Sequence, residues 1–216
     1  MGWPTQVAIA ADLNGQKYIF AANGPGPRLA ARVLEAAEAE AGGELLIEAV
    51  ISTGFCGALD PQLALGDIVE ATSVIDLATG NQSAVRPAST NRAPALGPVL
   101  SMDRVAVTIE EKAGLRNTTP GALAVEMEAS AVASWAKARH IPFYCIRVVS
   151  DRADSNVFPI DMNLMRDSEG RFDRFRIARH ALMKPFARIP GLLALDRDCR
   201  LAETKLGEFF ESCRFE

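Results

Sequence analysis

Residues 121–154 read GALAVEMEAS AVASWAKARH IPFYCIRVVS DRAD, and three patterns in this stretch decide the fold class. A short apolar run, 122–125, has strand character. Glu126 and Glu128 follow it and open a segment, 130–140, whose small residues suit a helix packed closely on a sheet. Pro142 then precedes a second apolar run, 143–149, and Asp151 comes two residues after it. Strand, helix and strand in succession indicate an α/β fold with a largely parallel sheet. With an acid after each strand, the reading puts Glu126, Glu128 and Asp151 at the carboxyl edge, where open α/β sheets bind ligands.

Working outward towards the amino terminus, 6–11 and 18–22 are β-like runs around Asn14-Gly15, a hairpin signal. The segment 23–27, NGPGP, cannot be regular structure. Residues 28–41 are rich in Ala, Leu, Glu and Arg, with Pro27 suited to a first helical turn and Gly42-Gly43 to a stop. Residues 45–53 read as a buried strand. Gly54, Phe55, Cys56 and Gly57 then read either as a tight turn needing glycine or as backbone amides facing a ligand. A strand follows at 68–75, an irregular surface loop at 78–98, and a strand at 100–107. Thr108 is placed to cap a short helix over 109–113, with Glu110 and Glu111 in its first turn. Beyond the central stretch, 156–170 reads as irregular, 172–182 as a helix, and 192–210 as one or two more.

Bulk composition narrows the classes. The 216 residues read as one domain, 1–216, with a helical extension from about residue 172. A formal charge of -4 argues against nucleic acid as a partner, because phosphate contacts need clustered Lys and Arg. Cys56, Cys145, Cys199 and Cys213 lie far apart, with no CxxC pair and no zinc-like His spacing. They read as buried small hydrophobes in a reducing compartment. No run approaches about 18 apolar residues, and the amino terminus has no secretory pattern. The expectation is a cytoplasmic protein.

Three segments coincide in order and spacing: ISTGFCGALDP (51–61) with LGDIV (65–69), AVEMEASAVA (124–133), and RVVSDRAD (147–154). Together they resemble the purine nucleoside phosphorylase and 5′-methylthioadenosine/S-adenosylhomocysteine nucleosidase superfamily. The resemblance implies a three-layer α/β/α sandwich with a mixed, largely parallel sheet, and cleavage of the N-glycosidic bond of a purine nucleoside. It also implies that neither metal nor organic cofactor is needed. It makes Asp151 the general acid at purine N7, a role suited to a partly desolvated carboxyl. Without the resemblance, Asp151 reads as a strand-end residue capping a turn. Glu128 would accept hydrogen bonds from the ribose hydroxyls, and Met127 would pack under the sugar. Glu126 would join them in the pocket or serve the dipole of the following helix. Gly54, Phe55, Cys56, Gly57 and Ser150 would line the pocket, and Val105 would flank the base. Asp154 would order the Asp151 loop.

The pattern also departs from the family. The acidic segment that supplies the water-activating Glu of hydrolytic members is not found in the first 20 residues, where Asp12 is the acid present. Either the chain begins late relative to its relatives or the nucleophile is handled differently. Phosphorolysis would need cationic and hydroxyl groups around phosphate. Where bacterial phosphorylases carry Arg and Ser, this chain has Ser52 and Phe55. Arg28 is then the basic group at the phosphate edge, or a solvated helix residue. The balance favours hydrolysis over phosphorolysis, with phosphate as co-substrate in the second case. The segments 161–163, 167–171 and 184–202 resemble the hopanoid-associated phosphorylase branch, implying an adenosylhopane-like substrate. Phe158, Met162, Leu164, Met165, Phe186, Ile189, Leu192 and Leu193 would then form a greasy channel or membrane-facing lip, or else pack on the core or a second subunit. A non-catalytic nucleoside-binding homologue and a futalosine-type hydrolase are the competing readings. The family implies a homo-oligomer, with a dimer expected.

Overall fold

The computed structural model describes residues 7–13, 16–41, 46–156 and 160–215. The Asn14-Gly15 turn, the Gly42-Gly43 stop and Phe158 lie outside them. Strands β1 (Val7–Leu13) and β2 (Gln16–Ala22) pair antiparallel as a separate hairpin. Helix α1 (Pro27–Ala41) starts at the proline expected to open it. The main sheet contains β3 (Val50–Ala58), β4 (Ile68–Asp76), β5 (Gln82–Ala84), β6 (Ala95–Ser101), β7 (Ala124–Glu126) and β8 (Phe143–Asp151). Helices α2 (Ile109–Thr118) and α3 (Ala129–Arg139) flank β7, while α4 (Arg174–Met183) and α5 (Pro185–Phe210) follow β8.

The α/β class with a mixed sheet is as expected, and the topology adds two features. The strand order is β5-β4-β6-β7-β3-β8, and β4 also pairs with β8, so five strands close into a ring with β5 outside it. Among the described residues the ring and β5 share six pairings, three parallel and three antiparallel. Strands β4, β6 and β7 run one way, and β3 and β8 run the other. Glu126 and Asp151 therefore end strands that point in opposite directions, which corrects the expectation of a shared carboxyl edge. The acids are brought near one another through β3, whose Gly57 lies opposite both Val125 of β7 and Asp151 of β8.

Three boundaries also move. Strand β3 begins at Val50 and runs through Gly54–Gly57, so this segment is strand rather than a turn. The strand expected at 100–107 is β6, ending at Ser101, and Val105 lies in the coil before α2. The last helix is one piece of 26 residues with Pro190 inside it.

Every residue of β8 is buried, as a strand paired on both edges and covered on both faces should be. On one side Ala30 and Leu34 of α1 and Ala129, Val132, Ala133 and Ala136 of α3 pack with Cys56, Val69, Cys145 and Val149. The alanines of α3 allow the close approach that its composition implied. On the other side Phe209 of α5 and Cys213 pack on Ile146. A third cluster joins Leu59, Leu100, Met102, Ala106, Ala122 and Val125.

Candidate active site

An arginine in the middle of an apolar strand organises the site. Arg147 on β8 has a side chain only 2% exposed, and burying an unpaired guanidinium is prohibitively costly. It is paired on two sides. Its Nη2 donates to Ser52 Oγ at 2.6 Å and to Glu126 Oε2, while its Nη1 lies 3.6 Å from Glu128 Oε2. Burial works against the charge, but the Glu126 and Glu128 carboxylates outweigh it and hold the guanidinium above its ordinary range.

Glu126 and Glu128 are two residues apart and do different work. The Glu126 side chain is fully buried. Besides Arg147, it accepts from the backbone N–H of Glu128 at 2.9 Å and of Ala129 at 3.1 and 2.9 Å. These are orphan donors of the α3 amino terminus, where an anion is favoured. The Glu128 side chain is 25% exposed. Its Oε1 accepts from Gly26 N–H at 2.8 Å, so the NGPGP loop ends on this carboxylate. Burial first and Glu126 second push the Glu128 carboxyl up to about 7, against the lowering effects of Arg147 and the Gly26 amide.

The second cluster lies at the end of β8. Between Cys56 and Gly57 of β3, the partner strand advances from Val149 to Asp151, leaving Ser150 as an extra residue. Such a bulge re-aims the side chains beside it. Asp151 is 5% exposed. Lys112 Nζ of α2 donates to its Oδ2 at 2.5 Å and to the Arg152 carbonyl at 2.7 Å. Ser150 Oγ lies 2.9 Å from Asp151 Oδ1 and 3.2 Å from the Cys56 carbonyl. With one hydrogen, the hydroxyl donates to one of them at a time. Arg147 and Asp151 are four residues apart on one strand, so their Cα atoms are separated by no more than about 13 Å.

The two glycines of β3 make room for these ionic groups. A methyl on Gly54 would lie 3.1 Å from Arg147 Nη1, and one on Gly57 would lie 2.9 Å from Asp151 Oδ2. Gly54 also has φ +143°, a conformation that favours glycine. Both glycines are needed for reasons other than a tight turn.

A carboxylate bearing on the NGPGP loop, a buried Arg–Glu pair and a bulged strand end with Asp151 are thus gathered by β3, β7 and β8. The sequence matches the phosphorylase superfamily over residues 5–96 and 88–172. The chain belongs to that superfamily. Among its relatives, the 5′-methylthioadenosine/S-adenosylhomocysteine nucleosidase of Glaesserella parasuis serovar 5 is 33% identical over 135 residues, 50% of this chain and 57% of the relative. The enzyme of the same name from Staphylococcus haemolyticus is 28% identical over 130 residues, 49% of this chain and 57% of the relative. The chain thus spans little more than half the length of the curated relatives it matches. Among solved structures, the Neisseria meningitidis nucleosidase in complex with methylthio-immucillin-A superposes with a TM-score of 0.57 and 28% identity, over 71% of this chain and 76% of that one. A Helicobacter pylori nucleosidase mutant holding 5′-methylthioadenosine shares the fold, with a TM-score of 0.59 at 21% identity over 71% of this chain and 75% of that one. The superfamily match ends at residue 172, ahead of α4 and α5.

Of the residues singled out in the sequence, Gly57, Ser150 and Asp151 lie together, Cys56 contributes its carbonyl, and Gly54 lies against Arg147. Its buried thiol is pushed well above the ordinary range, chiefly by burial. Phe55 pairs with Val148 in the β3–β8 ladder, and Met127 is buried. Asn163 clamps Val105, accepting from its N–H at 2.8 Å and donating to its carbonyl at 3.0 Å. Arg28 is exposed and donates to the Ser168 carbonyl at 2.8 Å, which ties down the 167–171 loop. Asp154 is exposed and paired with Arg152. The apolar set expected to form a channel divides. Met162 and Met165 are buried and Leu192 packs on the Ile160–Met165–Ala181 cluster, whereas Leu164, Phe186, Ile189 and Leu193 are exposed. A groove of about 440 Å³ beside α4 is lined by Leu164, Met165, Phe175, Arg176, Arg179 and His180. No helix among the described residues is long and apolar enough to cross a membrane.

Two residues of the site were not singled out from the sequence. Arg147 carried a signal, a lone charge inside an apolar strand. Lys112 carried a weaker one, sharing a helix face with Ile109 and Leu115 at i−3 and i+3.

Proposed function

We propose that this chain cleaves the N-glycosidic bond of an adenine nucleoside, releasing the free base. The observation that carries the reading is the pairing of two unlike carboxylates on one strand–helix framework. Glu128 is partly open and tuned upward, beside Arg147. Asp151 is buried at the bulged end of β8. In this reading Glu128, when ionised, accepts hydrogen bonds from the ribose hydroxyls, which a carboxylate can do at both oxygens. Asp151 faces purine N7 and passes it the proton that lets the base leave neutral. The Arg147 guanidinium lies beside Glu128, where it can orient a nucleophile. Relatives named for 5′-methylthioadenosine and S-adenosylhomocysteine support a 5′-substituted substrate. The exposed apolar residues of α5 are compatible with a bulky 5′ group of the adenosylhopane kind.

Water is the favoured nucleophile. Arg28, the group that would serve phosphate, is engaged with the Ser168 carbonyl. The reading also takes the working form to be a cytoplasmic homodimer. The test is adenine release from 5′-methylthioadenosine, adenosine and a 5′-alkyl adenosine, each with and without phosphate. Phosphate-independent release is expected. Release that requires phosphate would make the chain a phosphorylase, and adenine binding without turnover would make it a non-catalytic homologue.

A further inference from the structure

The proton balance at Asp151 is incomplete without its neighbour. Lys112 is 1% exposed, so its ammonium is as deeply buried as the core around it. It is held there by the geometry of α2. Thr108 caps the helix by accepting from Glu111 N–H at 3.1 Å, and the Lys112 N–H bonds the Thr108 carbonyl at 3.1 Å. The Nζ group then spends one hydrogen on Asp151 Oδ2 at 2.5 Å and a second on the Arg152 carbonyl at 2.7 Å. The hydrogen that Nζ directs at Oδ2 is therefore a proton this end of the site holds in line with the Asp151 carboxyl.

We propose that Lys112 supplies, through Asp151, the proton that the departing purine takes at N7. The proposal rests on the glycosidic-cleavage reading above. As the C1′–N9 bond breaks, its electron pair leaves with the base and charge develops on the purine ring. Asp151 takes a proton from Lys112 Nζ and delivers one to N7, so that Lys112 becomes a neutral amine and the carboxyl ends in the protonation state in which it began. The base departs uncharged. Water adds its oxygen to C1′ and releases one proton to solvent, and the amine recovers one proton from solvent. The sum is nucleoside plus water giving free base plus free sugar. Lys112 is in this account a positioning and proton-supplying residue, because it acts through Asp151.

A purely structural pairing predicts something different. If Lys112 only neutralises a buried carboxylate, its loss harms every substrate equally. Two leaving groups separate the cases: adenine, which needs protonation, and 4-nitrophenolate, which leaves as a stable anion. Wild-type, Lys112→Arg and Lys112→Gln proteins are compared on 5′-methylthioadenosine and on 4-nitrophenyl 5-methylthioriboside. Arginine keeps the positive charge beside Asp151 but does not surrender a proton. Both variants are expected to lose on the order of 100-fold or more in adenine release, the scale of general-acid catalysis. Both should hold nitrophenol release within about threefold of wild type. A parallel fall on the two substrates, or unchanged adenine release, would overturn the proposal. Should Lys112→Gln fail to fold, Lys112→Arg carries the same comparison. A wild-type protein that releases neither leaving group would remove the glycosidic-cleavage reading itself, and the proposal with it.

Discussion

Glu128 and Glu126 show how two acids of one motif are separated by their surroundings. Both lie within reach of Arg147, yet Glu126 is sealed in as the anchor of the α3 amino terminus and Glu128 keeps a quarter of its side chain in solvent. Burial and the neighbouring carboxylate push Glu128 up to about 7 from an ordinary 4.5. This has two consequences of definite sign. A raised carboxyl contributes stability at acid pH that is lost as pH rises through about 7, so the melting temperature of Glu128→Gln should decline less than that of wild type over that range. In the proposed function ribose is held by the ionised form, so kcat/KM for nucleoside cleavage should fall as pH drops below about 7. Glu128→Gln should lack that limb and show a raised KM. A wild-type pH profile identical to that of the variant would remove Glu128 from the sugar site. The acids themselves were legible in the sequence because they stand in a short, spaced motif. Their partners were not, since nothing local to Arg147 or Lys112 says which distant carboxylate each will meet across the ring.

At the scale of elements, β3 and β8 act as a matched pair. β8 supplies Arg147 and Asp151, and β3 supplies glycines opposite both, with the bulge at Ser150 adjusting the end of the ladder. Gly57→Ala should push the Asp151 carboxyl by tenths of an ångström or more, since a methyl there would lie 2.9 Å from Oδ2. Displacements of this kind in a catalytic group cost on the order of 10- to 100-fold in rate. Adenine release should therefore fall by that factor while the melting temperature changes little. A fully active Gly57→Ala protein would show that Asp151 does not need this position. The sequence read Gly54–Gly57 as a turn because glycine usually punctuates regular structure. Here the glycines stay within a strand, and their small size is used for space. The β6 boundary was missed for a related reason. Gly97 and Pro98 look like loop residues, but a methyl on Gly97 would lie 2.6 Å from the Leu123 side chain, so close packing is what the glycine permits.

For the whole molecule, the hydrophobic pattern of 121–154 was enough to read an α/β unit, and β7, α3 and β8 lie within a residue or two of the expected bounds. Periodicity along the chain cannot report that β4 returns to pair with β8, because that contact joins segments about 80 residues apart. This closure turns an open sheet into a ring, while the acids of opposed strands meet across β3, where Gly57 faces both Val125 and Asp151. The carboxyl-terminal helices complete the other layer through Phe209, which is 2% exposed and packs with Ile146 of β8. Phe209→Ala should cost about 3–5 kcal/mol by chemical denaturation, the usual loss for a buried phenylalanine. A loss below about 1 kcal/mol would mean that α5 is not an integral layer. The central claim is that Asp151 delivers the proton that frees the base. Its most direct test is the rate of adenine release from 5′-methylthioadenosine by the wild-type and Asp151→Asn proteins, with binding of free adenine measured on both. The account predicts release by wild type and a loss of 100-fold or more in the variant, with adenine still bound. Equal rates in the two proteins would contradict it.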